Sequence, residues 1–213
     1  MNPQSTHQLL TNLSGHSLEA GCDEAGRGCL AGPVFAAAVI FPKGYKNPSI
    51  RDSKKLKEAD RDTLAELIKQ EALTYGVASC SPIEIDKWNI LQCSIKAMHR
   101  AVKKLSVTPE YLIIDGNYFL PYKQVPHQTV IKGDDKYLSI AAASILAKTA
   151  RDHYMKRIDK KHPQYLWISN KGYPTQAHRS AIAETGITQY HRRSFQLLKD
   201  ESAYQSLLKF PTR

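Results

Sequence analysis

The chain has no run approaching ~18 consecutive apolar residues, so it offers no candidate membrane-spanning helix. Residues 1–16 are polar and show no basic stretch feeding an apolar one, so no secretory signal is expected. Cysteine is scarce: Cys22, Cys29, Cys80 and Cys93 form no C-x-x-C pair and lack the density of a disulfide scaffold. They read as free thiols in a reducing compartment, which makes the cytoplasm the expected location. Internal repeats and low-complexity linkers are missing as well. His99, His127, His153, His162, His178 and His191 show no ligand spacing, and no Cys/His set suggests zinc; surface or packing roles are expected for them. Acid is short relative to base: 20 Asp and Glu stand against 30 Lys and Arg, a formal net charge of +10. Such an excess suits a polyanionic partner, nucleic acid first.

What is present suits one domain, with 42% of the 213 residues hydrophobic. Residues 1–16 read as a short helix or loose arm around Leu9, Leu10 and Leu13, leading to a first strand ending near Asp23. Val34 to Phe41 is continuously apolar, as expected of a strand covered on both faces. After the basic turn Arg51-Asp52-Ser53-Lys54-Lys55-Leu56, a helix carries Leu64, Leu67 and Ile68 on one face. A third strand is expected over Leu73–Cys80. Trp88, Leu91, Ile95, Met98, Val102 and Leu105 then recur at spacings of 3, 4, 3, 4 and 3, a single helical stripe. Tyr111–Ile114 and Thr129–Ile131 read as short strands. Ser139–Ile158 reads as a long helix whose small-residue start, Ile140 to Ser144, permits close packing on a sheet. Thr175 is an N-cap candidate for a short helix, and two weaker helical stretches close the chain. Strands alternating with helices imply an α/β domain with a mixed sheet.

The sharpest local feature is Cys22-Asp23-Glu24-Ala25-Gly26-Arg27-Gly28. Two adjacent carboxylates repel unless a cation lies between them, and a divalent metal is the usual solution. The Gly-Arg-Gly turn can present backbone N–H groups and a guanidinium to an anion such as phosphate. Asp115 and Asp134 also follow short apolar runs that read as strands, and acids at strand ends can converge. Adjacent strand residues point to opposite faces, so Asp23 and Glu24 share a site only if the chain bends there, and Gly26 permits a bend. Three or four oxygen donors suit Mg²⁺ or Mn²⁺. The layout is that of a phosphoryl-transfer site.

Gly21-Cys22-Asp23-Glu24-Ala25-Gly26-Arg27-Gly28-Cys29-Leu30-Ala31-Gly32-Pro33 resembles the signature of ribonuclease HII, the type 2 ribonucleases H. Further segments match in the family's order: Asp52 to Leu56, Ile114-Asp115-Gly116, Lys132-Gly133-Asp134, Ser139 to Lys148, Arg151-Asp152, Lys171-Gly172-Tyr173 and His191-Arg192-Arg193-Ser194-Phe195. The resemblance spans residues 19–195. It implies the ribonuclease H fold, a central mixed five-stranded sheet flanked by helices with a helical C-terminal part. The implied organisation is an arm at 1–18, a catalytic domain at 19–195 and a helical tail at 196–213. The implied activity is endonucleolytic cleavage of RNA in RNA–DNA hybrids, and 5′ of ribonucleotides embedded in duplex DNA, leaving 5′-phosphate and 3′-hydroxyl ends. By the resemblance, Asp23, Glu24, Asp115 and Asp134 are the metal-binding catalytic acids, with Asp135 the adjoining alternative to Asp134. Gly26, Arg27 and Gly28 match the motif that senses the ribose 2′-hydroxyl. Tyr173 matches the tyrosine stacking on the sugar after the junction, and Lys54 sits where a phosphate contact is expected. Arg151 and Asp152 are expected to form a helix-surface ion-pair motif without a catalytic role.

The ribonuclease HIII branch lacks this Gly-Arg-Gly form and carries an extra N-terminal domain, so the HII branch is the expected one, as a monomer. Gln205-Ser206-Leu207-Leu208-Lys209-Phe210 has the Q-x-x-L-x-F form of peptides that dock on the bacterial sliding clamp. Two other readings are a Holliday-junction resolvase of the same fold and a catalytically silent hybrid-binding protein.

Overall fold

The computed structural model describes residues 8–50 and 57–200. Five strands form one sheet: β1 (Glu19–Ala25), β2 (Val34–Ile40), β3 (Thr74–Cys80), β4 (Tyr111–Asp115) and β5 (His127–Val130), in the order β3-β2-β1-β4-β5. β2 runs antiparallel to β1 and β3, whereas β1, β4 and β5 are parallel. The mixed five-stranded sheet is the one expected. The carboxyl ends of β1, β4 and β5 therefore open on one edge, where ligands bind in sheets of this kind.

Alternation along β2 sorts the core onto two faces. Ala36, Ala38 and Ile40 pack with helix α2 (Pro82–Lys103), through Ile95, Met98 and Val102. Ala37 and Val39 pack against α3 (Leu138–Asp159) and α1 (Glu58–Glu71). The small-residue start of α3 acts as expected, with Ile140 to Ser144 all buried. Gly21 permits a close approach of α3, because a Cβ there would overlap the backbone of Ser139 and Ile140.

α2 departs from the simple stripe. Asn89 has φ 63° and ψ 166°, interrupting the helix, and its Oδ1 accepts from Gln92 N–H at 3.0 Å. The second segment is thus capped afresh, and Leu91, at the break, is 37% exposed instead of buried. The Leu9–Leu13 arm forms no helix; Leu10 bridges to Tyr137, and Leu13 packs beside Ile113 and Ile140. β5 ends before Ile131, which is exposed. A third cluster gathers Leu30, Met155, Tyr165, Trp167, Ile182 and Leu197. It joins α3 to the short helix α4 (Trp167–Asn170) and to α5 (Gln176–Thr185), which Thr175 Oγ1 caps from His178 N–H as expected. From Gly186 to Asp200 no helix follows, and the rest of the expected tail lies outside the described residues. Among the described residues, no helix is long and apolar enough to cross a membrane.

Candidate active site

Register places the acids. Cys22 pairs with Ile114 across the parallel β1–β4 ladder, so Asp23 and Asp115 lie one step further along neighbouring strands. Both sit on the α3 face: Asp23 pairs with Ala37 of that layer, and the Ser144 hydroxyl hydrogen-bonds its carboxylate. Glu24 pairs instead with Ala36 of the α2 layer. The strand continues through Ala25 and turns only at Gly26, with φ 93°. The bend comes after the acid pair, and Glu24 leaves from the opposite face of the strand.

Even so, charge couples the three. Burial pushes the Asp23 carboxyl well above the usual carboxylate range, and the negative charges of Glu24 and Asp115 push it further. Glu24 is also raised by burial, opposed by the Arg27 guanidinium and reinforced by Asp115. Asp115 Oδ1 accepts the Gly133 N–H at 2.7 Å, which ties the strand end to a 3₁₀ turn, Gly133–Asp135. In that turn Asp134 is buried and Asp135 exposed.

A divalent cation is tested by these donors. They are hard oxygens, packed with like charge into a site that resists their ionisation, and a cation of this kind offsets that repulsion. Among the described residues no three of them yet form a coordination shell. Asp23 Oδ1 takes the Glu24 N–H at 2.6 Å, and Glu24 Oε1 takes Arg27 Nη1 at 3.2 Å. The donor set fits such an ion in kind and charge, with Arg27 occupying Glu24.

The Gly-Arg-Gly turn is held from behind by an arginine. Arg192, fully buried, donates from Nη2 to Gly26 O at 2.7 Å, from Nη1 to Arg27 O at 2.7 Å and from Nε to Gly32 O at 3.0 Å. Each peptide is planar and trans, so a carbonyl pointing inward turns the following N–H outward. The N–H groups of Arg27 and Gly28 therefore face away from Arg192, and both residues are exposed. A side chain on Gly26 would strike Arg151, while one on Gly28 would meet no protein atom within 4 Å.

Arg151 holds the next segment. It donates to Pro33 O at 3.2 Å, Lys171 O at 2.8 Å and Ala31 O at 3.0 Å. This corrects the expectation of a helix-surface ion pair. Arg151 is 0% and Asp152 1% exposed, because the 26–33 segment, α1 and the turn at Lys171 enclose this part of α3. Asp152 accepts from Arg61 Nη2 at 2.7 Å and Lys148 Nζ at 2.5 Å. Tyr173, 40% exposed, lies on the rim with Arg151 5.8 Å from its ring centre and its hydroxyl hydrogen-bonded to the Cys29 thiol. Leu30 N–H reaches Gly172 O at 2.8 Å, joining the Tyr173 turn to the glycine-rich segment.

The family model described as Ribonuclease HII matches residues 20–198. The chain belongs to the ribonuclease HII family. A ribonuclease HII of Bacteroides thetaiotaomicron is 61% identical over 192 residues, covering 90% of this chain and 96% of that protein. Among solved structures, ribonuclease H2 of Pyrococcus horikoshii aligns at TM-score 0.75 and 22% identity, over 90% of this chain and 99% of the other. The PCNA:RNase HII complex of Archaeoglobus fulgidus aligns at TM-score 0.67 and 26% identity, over 85% and 97%. For a ribonuclease HII the structure thus gathers Asp23, Glu24 and Asp115 at one edge, sets Asp134 beside them and brings Gly26–Gly28 and Tyr173 to one rim. Lys54 lies outside the described residues. Sequence reasoning gave no role to Arg192 or Ser144 and only a surface ion pair to Arg151, although all three fall inside the family-like segments.

Proposed function

We propose that this ribonuclease HII is a divalent-metal-dependent endoribonuclease that cuts RNA in RNA–DNA hybrids and 5′ of ribonucleotides embedded in duplex DNA. The observation that carries the reading is the pairing of an acid cluster at the β1–β4 edge with two outward N–H groups on the adjoining Gly26–Gly28 turn. We assign Asp23, Glu24, Asp115 and Asp134 to metal, taking Asp134 over Asp135 because it is the buried one. Mg²⁺ or Mn²⁺ held there would supply charge neutralisation at the phosphodiester and a water acidic enough to attack it.

The remaining work falls to the chain's own groups. The Arg27 and Gly28 N–H groups face the ribose 2′-hydroxyl, which accepts from them only when the substrate backbone comes close. A hydrogen at Gly28 permits that approach. Tyr173 packs on the sugar at the junction, and Arg27, once drawn from Glu24, is placed to meet a phosphate. Lys54 is assigned a further phosphate contact. The net positive charge supports binding of the duplex.

The catalytic domain is taken as residues 19–195, acting as a monomer. Four buried free thiols favour the cytoplasm. Gln205–Phe210, outside the described residues, is proposed as a sliding-clamp peptide; the PCNA:RNase HII complex of Archaeoglobus fulgidus supports an association of that kind. Deleting residues 205–213 should weaken clamp binding and leave cleavage of short duplexes unchanged. The decisive assay uses an end-labelled DNA duplex containing one ribonucleotide, with Mg²⁺ or Mn²⁺ and Asp23→Asn as control. One cut on the 5′ side of the ribonucleotide is expected. Cleavage of all-DNA junctions would instead favour a resolvase, and binding without turnover a silent hybrid-binding protein.

A further inference from the structure

Behind Tyr173 lies a buried group that the proposed reaction does not use. Tyr165, Trp167, His178 and His191 are each no more than 2% exposed, and the rings of Tyr165 and Trp167 stack at 4.8 Å. Their hydrogen bonds admit one assignment of protons. Thr188 N–H donates to His191 Nδ1 at 3.0 Å, so that nitrogen carries no proton. A neutral His191 then bears its proton on Nε2, which lies 3.3 Å from His178 Nε2. The same His178 nitrogen accepts the Trp167 indole N–H at 3.0 Å. His178 Nε2 is therefore an acceptor, its proton sits on Nδ1, and Nδ1 donates to Tyr173 O at 2.9 Å. Burial keeps both rings neutral: it lowers His178, and together with His178 it pushes His191 down to about 3.

We infer that His178 is a positioning residue for substrate recognition, its tautomer fixed by His191 and Trp167 so that it holds the Tyr173 backbone and sets the ring's place on the rim. The inference rests on the reading of Tyr173 as a substrate-facing residue. Tyr173 O also receives the Thr175 N–H at 2.8 Å, which places this carbonyl at the start of α5 and makes His178 the second donor on it. His191 is followed directly by Arg192, which holds the Gly26–Gly28 turn. Two consecutive side chains thus support the two parts of the proposed substrate rim, the Gly26–Gly28 turn directly and Tyr173 through His178.

The test is a double-mutant cycle on the full chain, with the single-ribonucleotide duplex and Mn²⁺. His178→Leu should lower kcat/KM about tenfold, the effect of roughly one hydrogen bond. In a Tyr173→Ala background the same change should cost nothing further, since His178 acts only through Tyr173. His178→Asn, whose amide nitrogen reproduces the Nδ1 donor, should recover most of the loss. If His178→Leu shows no cooperative melting transition, His178→Gln, which moves the donor out of place, enters the cycle instead. Losses that multiply, or an Asn variant as poor as Leu at equal Tm, would overturn the inference. Full activity in Tyr173→Ala would remove both the inference and the role of Tyr173, while metal-dependent cleavage remained.

Discussion

Replacing Arg192 by lysine probes the link between a buried cation and a surface it never touches. The guanidinium makes three hydrogen bonds to Gly26 O, Arg27 O and Gly32 O. A lysine keeps the charge but can satisfy about one of these carbonyls, leaving two poorly paired at about 1–3 kcal/mol each. Part of that is offset, because the arginine itself is costly to bury: burial pushes it down to about 10. A net loss of about 2–3 kcal/mol follows, which for a chain of this size lowers Tm by roughly 4–12 °C. Below the new Tm the turn persists but its peptides are free to rotate, so the outward N–H groups lose their aim. Cleavage of a single-ribonucleotide duplex, measured about 15 °C or more under Tm, several times the shift expected per kcal/mol, should fall by roughly tenfold or more in kcat/KM. An unchanged kcat/KM alongside a lowered Tm would show that Arg192 supports the fold and not the aim of those groups. An unchanged Tm would refute the energetic reasoning itself.

Gly28→Ala should leave Tm within about 1 °C, since no protein atom lies within 4 Å of the new methyl, yet reduce cleavage sharply if the substrate backbone approaches there. Gly26→Ala should lower Tm as well, from its positive φ and the overlap with Arg151; equal melting of the two variants would contradict this. Asp23→Asn should abolish turnover and, without added metal, stabilise the chain by about 1–2 kcal/mol through relief of like-charge repulsion, readable in urea unfolding as a higher midpoint. Glu84, in the capping box of α2 with Ser81, is held down to about 2, first by its hydrogen bonds from Arg100. A depressed carboxyl contributes stability above its unfolded value of 4.5 that is lost as pH falls towards 2. The full shift would be worth about 3 kcal/mol; Arg100 is 38% exposed, and screening reduces this to about 1–2 kcal/mol. Glu84→Gln should remove that much at pH 7 and little near pH 2, so equal losses at both pH values would contradict the assignment.

Much of this architecture is legible in the sequence because it is written in period. The apolar run of β2, the acids near the ends of β1 and β4 and the small-residue start of α3 all follow from apolar runs, alternation or spacing. Other features leave no periodic trace. Arg151 and Arg192 bind backbone carbonyls, which every residue carries, so no partner can be read opposite them in the sequence. Arg151-Asp152 looks like a surface pair because charge usually means solvent, and only the folded chain reveals the enclosing turn. Asn89 breaks a helix whose apolar stripe continues through it, since spacing records faces and not φ. For Glu24 the opposite face follows from adjacency to Asp23, but the place of the bend, after Ala25 and not at the acid pair, does not.

Asp23 and Asp115 each extend one residue past the Cys22–Ile114 pair of the parallel ladder. The separation of their Cα atoms is therefore inherited from the roughly 4.8 Å between hydrogen-bonded strands. The backbone gauge of the proposed reaction centre is a property of the peptide group. Mutation can retune the rim, the turn and the tyrosine, but it cannot stretch that interval without unzipping the middle of the sheet.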